Sequence, residues 1–318
     1  MKVDVEKVSV LVSIESDDRV GREILGQLPG VEVLPYDPAP ARLNDMQRNA
    51  QILIPPYRGS HRPIPLVDQL PSLRMVQLLS AGVDEWAGHV PAGIVLASAR
   101  GAHAGPVSEW IASAILTQFR QWPTLLQFQN EGTWAHRQFE ADTLDGKRAL
   151  IVGAGAIGTA TARRLSVFGV EPTLVASAAR EGVHGPEDLP RLARGHQIVV
   201  ITVPLTNQTQ RLINADFLAS MDDSALLVNA ARGQIVDTNA LVSELETGRL
   251  RAALDVTDPE PLPSNHPLWR CKGVIISPHS ARTVPGTNRL CYSVATEQIS
   301  TFIAGKVPSN AASQVGVS

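Results

Sequence analysis

The chain has 318 residues, 44 % of them hydrophobic and 19 % charged, with a formal net charge of −3 at pH 7. This length allows two domains with hydrophobic cores of their own, and the composition is typical of a soluble globular protein. The small negative charge gives no reason to expect nucleic acid or a membrane surface as partner, and no apolar run reaches the roughly 18 residues that a membrane helix needs.

Two further features bear on compartment and metal binding. The first residues, MKVDVE, lack the apolar core of a signal peptide, and the only cysteines are Cys271 and Cys291. Their spacing does not match a metal site, so buried or reduced thiols are the expected state. We therefore expect a cytoplasmic protein without a metal centre.

The first hundred residues predict a small α/β unit in which strands alternate with helices. Such alternation favours a parallel sheet, and ligands of parallel sheets bind beyond the carboxyl ends of the strands. Three loops after predicted strands are therefore candidates for substrate contact: 56–59 with Tyr57 and Arg58, 80–84 with Ser80, Ala81 and Gly82, and 98–101. The predicted strands are 8–12, 31–34, 51–54, 75–79 and 94–97, and a helix is predicted at 19–28.

Residues 106–129 form the longest helical pattern, and we interpret them as the connection between two domains. Beyond them strands and helices alternate again, and a closing helix is predicted at 283–304. This order predicts two Rossmann-like or flavodoxin-like parallel-sheet domains with a cleft between them. We expect a dinucleotide-binding domain at 102–282, inserted into a substrate-binding domain made of 1–101 and 283–318. The strands predicted after the first of the inserted domain are 173–176, 197–203, 225–228, 252–254 and 274–276.

A glycine turn marks the predicted dinucleotide site. A short apolar run ends in Gly153-Ala154-Gly155-Ala156-Ile157-Gly158, and a helical pattern follows it to Phe168. In such a unit the first glycine permits the sharp turn, the second lets a pyrophosphate approach the backbone, and the third lets helix and strand pack closely. The N–H groups at the start of the helix then bind the phosphates. The alternative is a strand–turn–helix unit without a ligand.

The residues after the second strand of this domain bear on the choice of cofactor. NAD sites place an acidic residue about 20 residues after the glycine turn, where it binds the ribose hydroxyls. In this chain the strand ends at Ala176 and is followed by Ser177 and Arg180, a hydroxyl and a guanidinium suited to a 2′-phosphate. We therefore expect NADP to be preferred over NAD. Glu181 weakens this prediction, and the alternative is that Arg180 faces solvent and either cofactor binds.

Three polar residues, Arg232, Glu260 and His279, follow apolar strands of the dinucleotide domain. Because the carboxyl ends of parallel strands share one edge of the sheet, we expect these side chains to gather beside the glycine turn. A guanidinium can hold a carboxylate and polarise a carbonyl, and an imidazole with a carboxylate partner can transfer a proton. The set predicts hydride transfer at a carbonyl. Taken singly, the three are equally compatible with a surface arginine, an acidic loop residue and a core histidine.

With these motifs the chain resembles the D-isomer-specific 2-hydroxyacid dehydrogenase family over nearly its whole length. The resemblance implies that Arg232 binds the carboxylate and carbonyl of the substrate, that His279 is the acid/base and that Glu260 is its partner. It also implies that Asp255 holds the carboxamide of the nicotinamide. The matching segments are 152–158, 203–206 with Thr209, 229–233, 254–256 with 260–262, 266–269 and 278–279.

The same resemblance implies further contacts and a subunit arrangement. In the segment that begins at Ser80, the backbone N–H groups of Ala81 and Gly82 would grip the substrate carboxylate. A homodimer is implied, with 106–134 at the contact. The chain departs from the family pattern at Ser98, where asparagine is common, and at Arg282, which faces either the cleft or solvent. The cofactor contacts carried over are Gly153, Gly155, Ala156, Ile157, Gly158, Val203, Pro204, Thr209, Ala230 and Asp255.

Three functions remain open on the sequence. We expect a D-specific oxidoreductase that transfers a hydride between NAD(P) and C2 of a small 2-oxo acid, of the glyoxylate/hydroxypyruvate reductase type. The second hypothesis is a phosphoglycerate dehydrogenase-like oxidation of a phosphorylated 2-hydroxy acid. It requires a second anion site, for which Arg58 and Arg100 are candidates, although we favour an exposed loop arginine for both. The third is a dinucleotide-sensing binding protein, which needs no intact proton relay.

Overall fold

The computed structural model describes residues 7–39, 42–57 and 63–312, so the predicted substrate residue Arg58 lies outside the described residues. The chain divides into two compact units, Met1–His103 with Val284–Ser318, and Ala104–Thr283. The sequence analysis placed these boundaries at 101/102 and 282/283. Each unit is built on a parallel sheet flanked by helices, which confirms the predicted α/β fold class.

The described helices and strands follow one another in the alternation typical of parallel sheets. The strands in chain order are β1 (Val8–Ser13), β2 (Val31–Tyr36), β3 (Ile52–Ile54), β4 (Met75–Gln77), β5 (Val95–Ala97), β6 (Arg148–Val152), β7 (Glu171–Val175), β8 (Val183–His184), β9 (Ile198–Ile201), β10 (Leu226–Asn229), β11 (Arg251–Leu254) and β12 (Val274–Ile276). The α-helices are α1 (Arg19–Leu25), α2 (Asp45–Arg48), α3 (Ala104–Phe119), α4 (Trp122–Asn130), α5 (Ala156–Ser166), α6 (Leu189–Leu192), α7 (Ala215–Ser220), α8 (Thr238–Glu246) and α9 (Thr287–Ile303).

The first unit has a five-stranded sheet with the order β2-β1-β3-β4-β5, and its strands pair in parallel. Alternate side chains point to opposite faces, so Val10 and Val12 belong to one core cluster and Leu11 to the other. The closing helix α9 completes the first of these clusters with fully buried side chains, among them Tyr292. It packs closely on α1, because a Cβ at Gly21 would lie 2.1 Å from the Tyr292 ring.

The second unit has a seven-stranded parallel sheet with the order β12-β11-β10-β9-β6-β7-β8. All residues of the two central strands β9 and β10 are buried, as expected for a sheet covered on both faces. The strand order reverses between β9 and β6, which is where ligands of such sheets bind. The carboxyl ends of β6, β9, β10, β11 and β12 lie at one edge of the sheet because their strands are parallel.

The predicted helix at 106–129 is wrong in one respect, because the structure breaks it into α3 and α4. Gln121 between them has a φ of 53°, in the left-handed region that ends a helix. Pro123 is the second residue of α4, and proline fits the first turn of a helix but not its interior, because it has no N–H to donate. The sequence analysis also missed the short edge strand β8. Among the described residues, no helix combines the length and hydropathy that a membrane span requires.

Candidate active site

The three glycines of the turn after β6 meet different surroundings. Gly153 has a φ of 119°, and a Cβ there would lie 2.6 Å from the Thr202 hydroxyl oxygen. A Cβ at Gly158 would lie 1.8 Å from the carbonyl oxygen of Gly153, so α5 packs directly on the turn. Gly155, in contrast, is exposed and has open space on its Cβ side. The second glycine therefore leaves room for a bound group where the sequence predicts a pyrophosphate.

The start of α5 fits that group electrostatically. Gly155 is the N-cap of the helix and offers no side chain to its first N–H groups. These amides and the helix dipole attract an anion. The predicted contacts Ala156 and Ile157 are the first two helical residues and are exposed and half-buried, respectively. The turn and helix start thus have the shape and donors that a dinucleotide phosphate requires.

Arg180 lies beside this turn. One of its guanidinium nitrogens, Nη2, donates a hydrogen bond to the carbonyl oxygen of Ala154 at 3.2 Å. Its backbone exchanges two hydrogen bonds with Val183, which fixes the loop after β7. Ser177 in that loop is exposed. The loop therefore presents a hydroxyl and brings a cation to the glycine turn, whereas nearby His184 pairs with Asp188, Nδ1 to carboxylate oxygen at 2.8 Å.

The loop after β9 carries the predicted cofactor contacts Val203, Pro204 and Thr209. The Thr209 hydroxyl donates to the Pro204 carbonyl at 2.6 Å and accepts from the Thr206 N–H at 2.8 Å. These bonds close the loop on itself. Since β9 neighbours β6 in the sheet, the loop leaves the same edge as the glycine turn.

Arg232 is held by a turn at the end of β10. The buried Asn229 side chain accepts from the Ala231 N–H at 3.1 Å and donates to the Arg232 carbonyl at 2.9 Å. The half-buried Arg232 guanidinium donates to the Ala231 carbonyl at 2.8 Å. Ala230, a predicted cofactor contact, lies inside this turn. The turn fixes the backbone from which the guanidinium projects.

Asp255, directly after β11, organises the loop that carries His279. Asp255 is buried, with 3 % of the residue exposed. Its carboxylate accepts hydrogen bonds from the Ser277 hydroxyl at 2.6 Å, the Ser280 N–H at 2.8 Å and the Ala281 N–H at 3.0 Å. The His279 N–H donates to the Asp255 carbonyl at 2.7 Å. In the structure this carboxylate therefore serves the loop itself, and its contact with a nicotinamide stays a prediction.

His279 and Glu260 form a pair at the ends of adjacent strands. The distance from Nδ1 of the imidazole to Oε1 of the carboxylate is 2.7 Å, and the side chains are 37 % and 38 % exposed. A carboxylate only accepts hydrogen bonds, so Nδ1 carries the proton and Nε2 is directed to other partners. The imidazole and carboxylate meet as the sequence predicts, at the edge that also carries Arg232 and the glycine turn.

In the first unit, the candidate residues contact other parts of the same unit. The Tyr57 ring is 5 % exposed within the core, because its apolar area is better buried than projected from the loop. Ser80 donates to the Gly82 carbonyl at 2.7 Å, and Ser80, Ala81 and Gly82 are half-buried beyond β4. Arg100 donates to the side chain of Asn310 at 3.2 Å and to the carbonyl of Ser309 at 2.9 Å, so it holds the C-terminal segment.

Sequence reasoning missed the residues that support the acid/base pair. Ser277 contacts Asp255, while the hydroxyls of Thr238 and Thr257 donate to carbonyls just before Glu260. Each is a hydroxyl residue in or beside a loop at the carboxyl edge. That position was a usable signal, because such side chains often bind local backbone.

Comparison with known proteins agrees with this geometry. Residues 112–281 match the family model described as D-isomer specific 2-hydroxyacid dehydrogenase, NAD binding domain. A glyoxylate reductase from Thermofilum pendens is 33 % identical over 256 residues, which are 76 % of this chain and 76 % of the relative.

Two crystal structures extend the likeness to nearly the whole chain. A D-isomer specific 2-hydroxyacid dehydrogenase from Xanthobacter autotrophicus Py2, in complex with NADPH and MES, is 27 % identical with a TM-score of 0.82 and coverages of 97 % and 98 %. An NADPH-dependent glyoxylate/hydroxypyruvate reductase from Sinorhizobium meliloti, in complex with citrate, is 25 % identical with a TM-score of 0.77 and the same coverages.

Proposed function

The chain belongs to the D-isomer-specific 2-hydroxyacid dehydrogenase family, an oxidoreductase family, and on that premise we propose that it is an NADPH-preferring reductase of small 2-oxo acids such as glyoxylate and hydroxypyruvate. The observation that carries the proposal is the 2.7 Å contact between His279 and Glu260 at the sheet edge that holds the glycine turn. Such a pair is what the reduction of a carbonyl requires of the protein, because a proton must be delivered to oxygen.

His279 is the proton donor in this proposal. Nicotinamide, when bound in its reduced form, supplies the hydride that forms the new C–H bond at C2. His279 gives its Nε2 proton to the carbonyl oxygen, which becomes the hydroxyl of the 2-hydroxy acid. The Glu260 carboxylate accepts a hydrogen bond from Nδ1 and so holds the imidazole in one tautomer and one orientation. Because the imidazole is partly exposed, it regains its proton from solvent.

Arg232 binds and orients the substrate. A guanidinium presents a planar fork of N–H donors that matches a carboxylate, and one of its donors can also polarise the adjacent carbonyl. The turn built by Asn229 fixes the backbone at Arg232, so little conformational freedom is lost when the substrate binds. From the family resemblance alone, we also propose that the backbone N–H groups of Ala81 and Gly82 bind a substrate carboxylate.

NADPH is proposed over NADH because of Arg180 and Ser177. Arg180 reaches the glycine turn through its 3.2 Å bond to the Ala154 carbonyl. A guanidinium and a hydroxyl can both donate to the 2′-phosphate of NADPH, and the loop offers no carboxylate at this point to accept from both ribose hydroxyls of NADH. The Xanthobacter relative was crystallised with NADPH.

A homodimer through the α3–α4 face is part of the proposal. A groove of about 550 Å³ in the second unit is lined by apolar side chains that include Leu116, Trp122, Val167 and Phe168. Trp134, further along the chain, is 91 % exposed. A second copy of the chain would bury these side chains. Light scattering should give the mass of two chains, and substitution of Trp122 by glutamate should yield single chains.

Initial-rate assays of the purified protein test the proposed reaction. Glyoxylate, hydroxypyruvate, a longer aliphatic 2-oxo acid and phosphohydroxypyruvate are each supplied with NADPH or with NADH. We expect turnover of the first two substrates and higher kcat/KM with NADPH. Equal kcat/KM with both cofactors would remove the cofactor preference. Binding of NADPH without consumption on any substrate would favour a dinucleotide-sensing protein.

A further inference from the structure

The segment that leads to Glu260 is held by two hydroxyl groups. The Thr238 hydroxyl donates to the carbonyl oxygen of Asp258 at 2.9 Å, and the Thr257 hydroxyl donates to that of Pro259 at 2.9 Å. The two carbonyls immediately before Glu260 therefore each have a side-chain donor. The segment 258–260 belongs to no strand or helix, so these bonds supply an anchorage that regular structure does not.

The two donors come from separately fixed parts of the unit. Thr238 is the first residue of α8, and its neighbour Asp237 caps that helix by accepting from the Ala240 N–H at 3.1 Å. Thr257 is buried, two residues beyond the well-anchored Asp255. The segment 258–260 is thus held from a capped helix and from a buried position, so it has little freedom to shift.

The same segment lies directly against the residue after Arg232. A Cβ at Gly233 would be 1.9 Å from the Thr257 carbonyl oxygen and 2.6 Å from the Asp258 nitrogen. The two backbones touch there, and only glycine permits the approach. The position of the Glu260 segment is therefore coupled to that of the Arg232 turn.

We propose that Thr238 and Thr257 are positioning residues that set the Glu260 carboxylate at its 2.7 Å distance from His279. The Glu260 side chain is partly exposed and has three rotatable bonds, so its backbone must be fixed for the pair to persist. Without either hydroxyl the pair loosens, and the imidazole is no longer held in one orientation. The inference rests on the proposed function, because it takes Glu260 as the partner of the proton donor.

The experiment compares Thr238→Val and Thr257→Val with Thr296→Val as the matched control. Thr296 is half-buried like Thr238 and donates at 2.8 Å to a backbone carbonyl, that of Tyr292, within α9 of the first unit. Purified holoenzyme is assayed with NADPH and glyoxylate over a range of pH, and the melting temperature of each variant is recorded.

We expect each of the two valine variants to lower kcat about three- to tenfold, as expected for the loss of one hydrogen bond to an active-site segment. The KM for NADPH should stay unchanged, because the glycine turn is not touched. The pH profile of kcat should change as well, because a looser carboxylate no longer holds the imidazole in one tautomer and one orientation. Thr238→Ser and Thr257→Ser restore the donor and should restore both kcat and the pH profile.

A lower melting temperature with unchanged kcat and pH profile would overturn the inference, because the threonines would then be structural only. Should the buried Thr257→Val variant fail to fold, Thr238→Val decides alone. Glu260→Gln separates this failure from that of the proposed function. If Glu260→Gln shifts the pH profile and the valine variants do not, the positioning role is wrong. If Glu260→Gln has no effect, the acid/base pair itself is wrong.

Discussion

The two units share a parallel α/β architecture but use the carboxyl ends of their strands differently. In the second unit, charged side chains gather there and are held by a network that includes Asp255 and the His279–Glu260 pair. In the first unit, the corresponding polar groups serve the fold: Arg100 ties down the C-terminal segment, and Asp18 is fully buried. The carboxyl edge of the second sheet thus carries the proposed acid/base pair, whereas in the first unit Arg100 and Asp18 hold the fold together.

The largest effect expected from this difference is that of His279→Ala. Loss of a positioned general acid typically costs about 10²- to 10⁴-fold in rate, so we expect kcat to fall by about three orders of magnitude. NADPH binding, measured by fluorescence titration, should persist because the glycine turn is intact. A variant that retains more than a tenth of the wild-type kcat would show that His279 is not the general acid.

The buried Asp18 should make the free energy of unfolding depend on pH. Burial, partly offset by hydrogen bonds from the Tyr292 hydroxyl and the Tyr57 N–H, raises its pKa from 3.8 to about 6. A carboxyl with a raised pKa in the folded state favours folding when protonated, so its contribution is lost as pH rises from 3.8 to about 6. Raising the pKa from 3.8 to about 6 changes the free energy of unfolding by at most about 3 kcal/mol across this pH window.

Asp18→Asn should flatten that part of the stability profile, since asparagine still accepts from Tyr57 and Tyr292 and does not ionise. The measurement is urea unfolding of both proteins across the pH window from 3.8 to about 6. Parallel profiles for wild type and variant would show that Asp18 does not titrate as its burial implies. Turnover per folded molecule should not change, because Asp18 lies in the core of the first unit.

Arg180→Glu should change cofactor choice by a smaller amount. The guanidinium is exposed, and a charge-assisted contact of this kind corresponds to about a tenfold change in kcat/KM for NADPH. The kcat/KM for NADH should stay level or rise, because a carboxylate can accept from the ribose hydroxyls. Initial rates with both cofactors provide the check, and an equal loss for the two would mean that Arg180 supports only the fold of the turn.

The smallest effect should come from Arg100→Ala. Arg100 follows a strand of the first unit as Arg232 follows a strand of the second. Its hydrogen bonds are to Asn310 and Ser309, so we expect kcat/KM on glyoxylate, and on any phosphorylated acid that turns over, to change less than about twofold. A selective loss on the phosphorylated acid would contradict this expectation and would give the first unit an anion site.

Local patterns made the second unit largely predictable. Arg232, Glu260 and His279 each follow an apolar strand within a few residues, and parallel pairing then brings their loops to one edge. The glycine turn was recognisable from its own residues, although the contacts that require glycine at Gly153 come from Thr202, at the end of the neighbouring strand β9. Even the break between α3 and α4 had a signal in Pro123, which the helical periodicity of the surrounding apolar residues outweighed.

The first unit resisted prediction because its polar contacts join distant parts of the chain. Arg100 and Asn310 are 210 residues apart, and Asp18 and Tyr292 are 274 apart. No window of sequence contains both partners, so the sequence predicts only an exposed or substrate-facing Arg100 and gives no signal for Asp18. The donors to the Asp255 carboxylate posed a similar problem, since all three are hydroxyl or backbone groups of another loop.

The helix α9 gives the order of synthesis a physical consequence. Its side chains Cys291, Tyr292, Ala295 and Ile299 are fully buried and complete a core that β1 and β3 begin almost at the start of the chain. On the ribosome, the intervening unit is finished before this helix emerges. We therefore expect the inserted unit to fold first, while one apolar face of the early strands stays uncovered. That face is where we expect a chaperone to bind the nascent chain.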